Sequence, residues 1–257
     1  AIRTLREQGG VVFGVSWGHG PTANGQRLAS SQVDDAICLW DPETGNLLDQ
    51  LHYANDVYPF FRRLAWSPDG TKLAMGTYRH GLQVFSMTAP YRRWSGDEAQ
   101  LLIRHVAWSP DGMSLAGAGD DGIVYLWDGA QGALRHRLAG HQRVITSVAW
   151  SPDGASLASG GRGSASGELF VWNPTDGQQV KALIGHAEIV TAVAWGVDRD
   201  RLISGGGGGK LRWWDLPSGE CIRTIEAHRG TVQALRRSPD GTQLASCGDD
   251  GAIMLWD

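Results

Sequence analysis

Three acidic pairs, Asp34-Asp35, Asp120-Asp121 and Asp249-Asp250, are by type the residues best suited to acid–base chemistry in this chain. General acid–base catalysis needs two carboxylates that converge on one bond. These pairs fall instead in equivalent turns, where an Asp side chain bonds nearby backbone or braces the turn. Gly205–Gly209 followed by Lys210 offers part of a phosphate loop. A phosphate loop also needs a Ser or Thr after the Lys and a helix behind it, and here strands flank the run. It reads as a flexible turn, as does Gly160–Gly167. The eight histidines show no metal-ligand spacing. Cys38, Cys221 and Cys247 have neither a disulfide framework nor zinc spacing, so they read as small buried thiols in a reducing, cytoplasmic setting. No catalytic residue, cofactor or metal is implied.

The elements that carry these residues repeat. Trp-Ser-Pro-Asp-Gly occurs at Trp66–Gly70, Trp108–Gly112 and Trp150–Gly154, with an echo at Arg237–Gly241. Each copy leads to Leu-Ala-Ser-Gly or a variant and then to Trp40-Asp41, Trp127-Asp128, Trp172-Asn173, Trp214-Asp215 or Trp256-Asp257, with Phe85-Ser86 in the same register. Successive endings lie 45, 42, 45, 42 and 42 residues apart. A period in the low forties, with Trp-Asp at its end, predicts a ring of four-stranded blades. In the stretch from His141 to Gly185 the strands are expected around Ile145–Trp150, Ser156–Ser159, Leu169–Trp172 and Val180–Leu183, separated by Pro/Gly turns.

Composition agrees. Thirty-six glycines and ten prolines in 257 residues suit many short strands joined by turns. No apolar run approaches the ~18 residues of a membrane helix, and no membrane association is expected. A net charge of −4 gives no electrostatic footprint for nucleic acid, which argues against that class of partner. The missing initiator Met and the final Trp-Asp suggest a domain of a longer polypeptide.

Over essentially its whole length the chain resembles the WD-repeat (tryptophan–aspartate repeat) β-propeller family. The resemblance implies an all-β propeller with four antiparallel strands per blade, and the six third-strand endings give a six-bladed ring; the alternative is a piece of a longer array of blades. The blades fall at about 7–51, 52–94, 95–138, 139–183, 184–226 and 227–257 plus 1–6 of a single domain. Residues 1–6 align with the strand that starts at Cys221, so the N-terminal strand is expected to pair with the last blade and close the ring. The family often braces a blade with His, Ser or Thr, Asp and Trp, and His228, Ser246, Asp250 and Trp256 match this structural set fully. The repeats ending at Trp172 and Trp214 keep His141 with Ser159 and His186 with Ser204 but lack the turn Asp. The repeat ending at Trp127 keeps Asp121 with Gly117 at the Ser position, and the one ending at Phe85 has none of the four. WD-repeat domains of this regular kind are often found in bacterial multidomain signalling proteins as sensors or scaffolds, which sets the expected parent.

Function in such a scaffold belongs to its loops. Loops leading into the inner strand, and loops joining strands two and three, should share the face around the channel mouth. Three residues after the His slot stand Val11, Phe60, Leu102, Val144, Ile189 and Thr231, five of six apolar. The second repeat adds Tyr58, Tyr78 and Arg79, and Arg104 lies beside them. Tyr and Arg clustered on a rim are the composition of a binding hot spot. These residues are the candidate contacts for a protein, a peptide or another domain of the same polypeptide. The expected function is a non-catalytic interaction scaffold or sensor. The alternative is a propeller hydrolase or lyase with its site in the channel mouth, which needs converging titratable groups that the apolar rim does not offer.

Overall fold

The computed structural model describes residue 5 and residues 12–19, 26–32, 36–52, 63–77, 81–87, 93–96, 102–238 and 240–257. Among them are 23 strands in six antiparallel sheets and no helix. In chain order the sheets span residues 12–52, 64–96, 103–139, 145–182, 190–226 and 232–256. Each pairs its strands in sequence order, so every sheet is a simple meander. The first five have four strands and the sixth has three among the described residues. The expected closing strand at 1–6 lies outside the described residues. Residues 1–117 with 127–134 form one compact unit, and residues 118–126 with 135–257 form another.

The fourth sheet shows how the repeat folds. Its strands are Ile145–Trp150, Leu157–Arg162, Gly167–Trp172 and Gln179–Ala182. The turn after Trp150 closes on itself. The Ser151 hydroxyl donates to Asp153 at 2.6 Å, the Ser156 amide donates back to Ser151 Oγ at 2.9 Å, and Asp153 accepts from the Ala155 amide. Gly154 sits at φ 72°, a left-handed conformation that its lack of a Cβ permits. The same bonds recur around Ser67-Asp69, Ser109-Asp111 and Ser238-Asp240, which explains why the string repeats nearly letter for letter.

Neighbouring sheets are fastened at regular points. The Trp195 indole donates to the Ala149 carbonyl of the sheet before it at 2.8 Å. Trp66 reaches the Ser16 carbonyl and Trp108 the Ala65 carbonyl, each at 3.1 Å. Arg237, which replaces Trp in the sixth repeat, supplies the donor with its guanidinium, to the Trp195 carbonyl at 3.3 Å. The Thr146 hydroxyl donates to the Val190 carbonyl at 2.5 Å, and Thr191 donates to Val232. Between these ties lies an apolar layer. Leu169, Val171 and Leu183 pack on Val190, Val193, Trp195 and Trp214, and Ile203 and Leu211 pack on Val232, Leu235 and Leu244.

Candidate interaction face

In the last three repeats the residue before the inner strand and the residue at or just past the end of strand two are joined through backbone. The Arg162 amide donates to the Val144 carbonyl at 2.9 Å, Gly207 to Ile189 at 2.9 Å and Asp249 to Thr231 at 3.0 Å. These bonds bring the lead-in loop and the loop between strands two and three side by side in these three repeats. Val144, Ile189 and Thr231 stand at this junction, each half-buried. Leu102 is buried, so it packs within the scaffold and offers little surface to a partner. Arg104 is half-buried on its inner strand. Val11, Tyr58, Phe60, Tyr78 and Arg79 lie outside the described residues.

Behind this face the bracing sets hold the sheets. In the sixth, Trp256 Nε1 donates to Ser246 Oγ at 3.0 Å, Ser246 Oγ lies 2.7 Å from His228 Nε2, and His228 Nδ1 lies 3.0 Å from Asp250. An indole N–H can only donate, so the Ser hydroxyl turns its proton to Nε2 and leaves the imidazole proton on Nδ1 for the carboxylate. The fourth sheet makes the same chain: Trp172 to Ser159 at 2.7 Å, Ser159 to His141 Nε2 at 2.6 Å, and His141 Nδ1 to Glu168 at 3.0 Å. The sequence pattern puts no turn Asp here, and Glu168 fills the place. Trp172 follows its Ser by 13 residues, against 10 in the fifth and sixth sheets, and Glu168, at the start of the third strand beyond the longer loop, reaches the imidazole.

The remaining sheets depart from the set coherently. In the fifth, Trp214 and His186 both meet Ser204, and Arg212 stands opposite Ser204 across the strands. The second places buried Met75 and Phe85 at the Ser and Trp positions, so no polar partner is stranded. In the third, a Cβ on Gly117 would meet the Trp127 ring at 2.8 Å, so the indole occupies the space of the missing Ser side chain.

The chemistry-bearing residues are committed to this architecture. Asp250 accepts from the Arg229 and Ala252 amides and from His228, which holds its carboxyl down at about 2. Asp249 accepts from Gln233 and the Thr231 amide, which also lowers its carboxyl. Neither is free to carry protons near neutrality. Tyr125 donates its hydroxyl to Asp121 at 2.7 Å. The glycine run is a tight turn between two strands. A Cβ on Gly205 would strike Val232 at 2.6 Å, and one on Gly209, at φ 73°, would lie 2.0 Å from the His228 carbonyl oxygen. Close approach of the next sheet accounts for these glycines without a phosphate. Among the described residues no group of His, Cys, Asp or Glu is arranged to hold a metal. Cys38 is buried, Cys221 and Cys247 are half-buried, and none of the three is in a disulfide. A groove of about 230 Å³ near the Arg237–Gly241 turn is lined by Val197, Arg201, Trp213 and Trp256 among others. It falls below the roughly 300–1,000 Å³ of small-molecule sites.

Repeated four-stranded meanders with interlocked faces define an all-β propeller of six blades. The WD domain, G-beta repeat family matches residues 177–215 and 219–257, and the Anaphase-promoting complex subunit 4 WD40 domain family matches residues 64–153. Together these matches support a WD-repeat assignment. Protein HIR1 of Cryptococcus neoformans var. neoformans, in strains JEC21 and B-3501A, is 30% identical over 99 residues. That stretch is 37% of this chain and 11% of the HIR1 length, so the likeness concerns a small part of that protein. These relatives are fungal, and they do not show the bacterial multidomain parent that the repeat regularity suggests. A chain in the crystal structure of a mitotic checkpoint complex superposes with a TM-score of 0.84 at 22% identity, covering 98% of this chain and 76% of that one. This likeness bears on fold alone. No helix among the described residues is long and apolar enough to cross a membrane.

Proposed function

We propose that this propeller is a non-catalytic, cytoplasmic scaffold that binds a protein, a peptide or a neighbouring domain on the face built by its lead-in loops. The observation that carries the reading is the repeated backbone junction of Val144 with Arg162, Ile189 with Gly207 and Thr231 with Asp249. It mounts half-buried side chains on a rigid frame, and binding functions concentrate on loops held in this way. Among the described residues, Asp121, Asp249 and Asp250 are engaged in local hydrogen bonds, which favours a surface for recognition over proton transfer. The named relatives suit this reading: one is a component of a protein complex by its title, and the WD40 matches belong to families of repeat scaffolds. The contact set is Phe60, Tyr58, Tyr78 and Arg79 from the second repeat, with Val11, Val144, Ile189, Thr231 and Arg104 around it.

Capture from native lysate, comparing the unmodified chain with Phe60→Asp and Ile189→Asp, tests this. A partner held by the chain and lost by either folded variant supports the face. Truncation of a true hot-spot residue there costs on the order of 2 kcal/mol of binding. Equal capture by all three moves the site off this face. Turnover of an ester or glycoside that depends on Asp249 or Asp121 would overturn the non-catalytic reading.

A further inference from the structure

The fourth, fifth and sixth sheets each bury a His bonded to a Ser, and in two of them the imidazole ends on a carboxylate. Glu168 accepts from His141 Nδ1 and from the Gln142 amide, each at 3.0 Å. Asp250 accepts from His228 Nδ1 and the Arg229 amide at 3.0 Å, and from the Ala252 amide at 3.1 Å. In the fifth sheet His186 is 6% exposed and its Nε2 lies 2.6 Å from Ser204. Trp214 donates to the same hydroxyl, so the imidazole proton sits on Nδ1. Neither that N–H nor the Ala187 amide meets an acceptor among the described residues.

The turn around them is the one that holds Asp250. The Gly207 amide donates to the Ile189 carbonyl as Asp249 does to Thr231. Gly209, at φ 73°, donates to Gly206 as Gly251, at φ 74°, does to Gly248. A Cβ on Gly206 would lie 3.0 Å from His186 Nδ1, and one on Gly248 would lie 2.8 Å from His228 Nδ1. Gly208 therefore stands where Asp250 does, with no side chain to reach the imidazole, and the Lys210 amide takes the place of Ala252. The exposed Glu188 carboxylate borders the gap, 3.6 Å from a Cβ at Gly208, without bonding to His186. The Arg212 cation acts on the same imidazole and opposes that charge.

We propose that this gap binds a carboxylate of a partner, held by His186 Nδ1 and the Ala187 amide as Asp250 is held by His228 and Arg229. The site rests on the recognition reading above and deepens it, because the turn at 206–209 belongs to the proposed interaction face. The two sister sheets describe the ligand: a flat, two-oxygen acceptor reached by an imidazole N–H and the next amide. A buried donor left without an acceptor is costly, and bonds to a carboxylate are of the stronger, charge-assisted kind. An Asp or Glu side chain and a chain terminus share this chemistry.

The probe is acetate, titrated at constant ionic strength into the whole chain while the imidazole nitrogens are followed by NMR. The His186 signals are expected to move saturably, and those of His141 and His228, whose Nδ1 atoms are already bonded, to stay still. Gly208 is exposed and its φ is not left-handed, so Gly208→Asp can supply the carboxylate from within. That variant should lose the acetate response and gain a higher urea midpoint. Glu188→Gln removes the bordering charge and should tighten acetate binding severalfold. No response, or equal movement of all three imidazoles, overturns the proposal, as does a response that Gly208→Asp leaves unchanged. A response confined to Glu188→Gln means that Glu188 fills the gap in the native chain, and overturns it too. Two tripeptides then separate the sources. Saturation by acetyl-Ala-Glu-Ala-amide names an acidic side chain, saturation by acetyl-Ala-Ala-Ala names a chain terminus, and response to neither overturns a peptide ligand. Acetate reads the site without a partner, so its failure leaves the interaction face standing, and a failed lysate capture leaves the site standing.

Discussion

Ser159 holds two donors or acceptors at once, the Trp172 indole and His141 Nε2. Ser159→Ala strands both in a buried setting and should cost about 3 kcal/mol, read as a lower urea midpoint at unchanged slope. Glu168→Gln keeps an acceptor for His141 Nδ1 and should cost about 1 kcal/mol. Acidity acts on the same centres. Burial holds His141 at about 4, and burial with the nearby Arg212 cation does the same for His186, against the usual 6.5. Between those values the unfolded chain binds protons that the folded chain refuses. Stability is therefore full above pH 6.5 and falls as pH drops toward 4, by up to about 3 kcal/mol per histidine. Urea titrations from pH 7 to 4 should show that slope, and His186→Gln should remove its share. A flat profile would contradict the assignment of neutral buried imidazoles.

At the scale of the element, two adjacent glycines separate structure from chemistry. Gly209→Ala forces a Cβ at positive φ against the His228 carbonyl and should cost about 2 kcal/mol or more by thermal or urea unfolding. Gly208 has its nearest neighbours at 3.6 Å, the carboxylate of Glu188, so Gly208→Ala should stay within about 0.5 kcal/mol. Equal penalties would mean that the run serves something other than the approach of the next sheet. Strand order and the self-closed Ser-Pro-Asp-Gly turns were legible in the sequence because each depends on residues within one repeat. Glu168 was not, because it reaches His141 from the start of a third strand that follows a loop three residues longer than its counterparts, and spacing rules count from the aromatic. Nor was the role of Arg237, whose type departs from the repeat while its donor still reaches the preceding sheet. The apolar ring expected at the mouth was legible as a pattern only. Burial of Leu102 depends on what packs around it, which no single repeat encodes.

For the whole molecule, the matched segments and the six sheets argue for an interaction scaffold, and the lysate comparison of Phe60→Asp with the unmodified chain is its first test. Within each compact unit the ties described above join a sheet to the next one in the chain. Stability of such an array is close to a sum of repeat and nearest-neighbour contributions.

The self-closed turn has a consequence for inheritance. Five consecutive letters carry the Ser, Pro, Asp and Gly that make its bonds, so copying a short stretch of gene copies a finished joint. The sheet-to-sheet fastenings need only a donor at one position and a backbone carbonyl at another, and carbonyls survive every substitution. A lineage can then add or lose repeats, or let one drift as far as the second has, without renegotiating the rest of the protein.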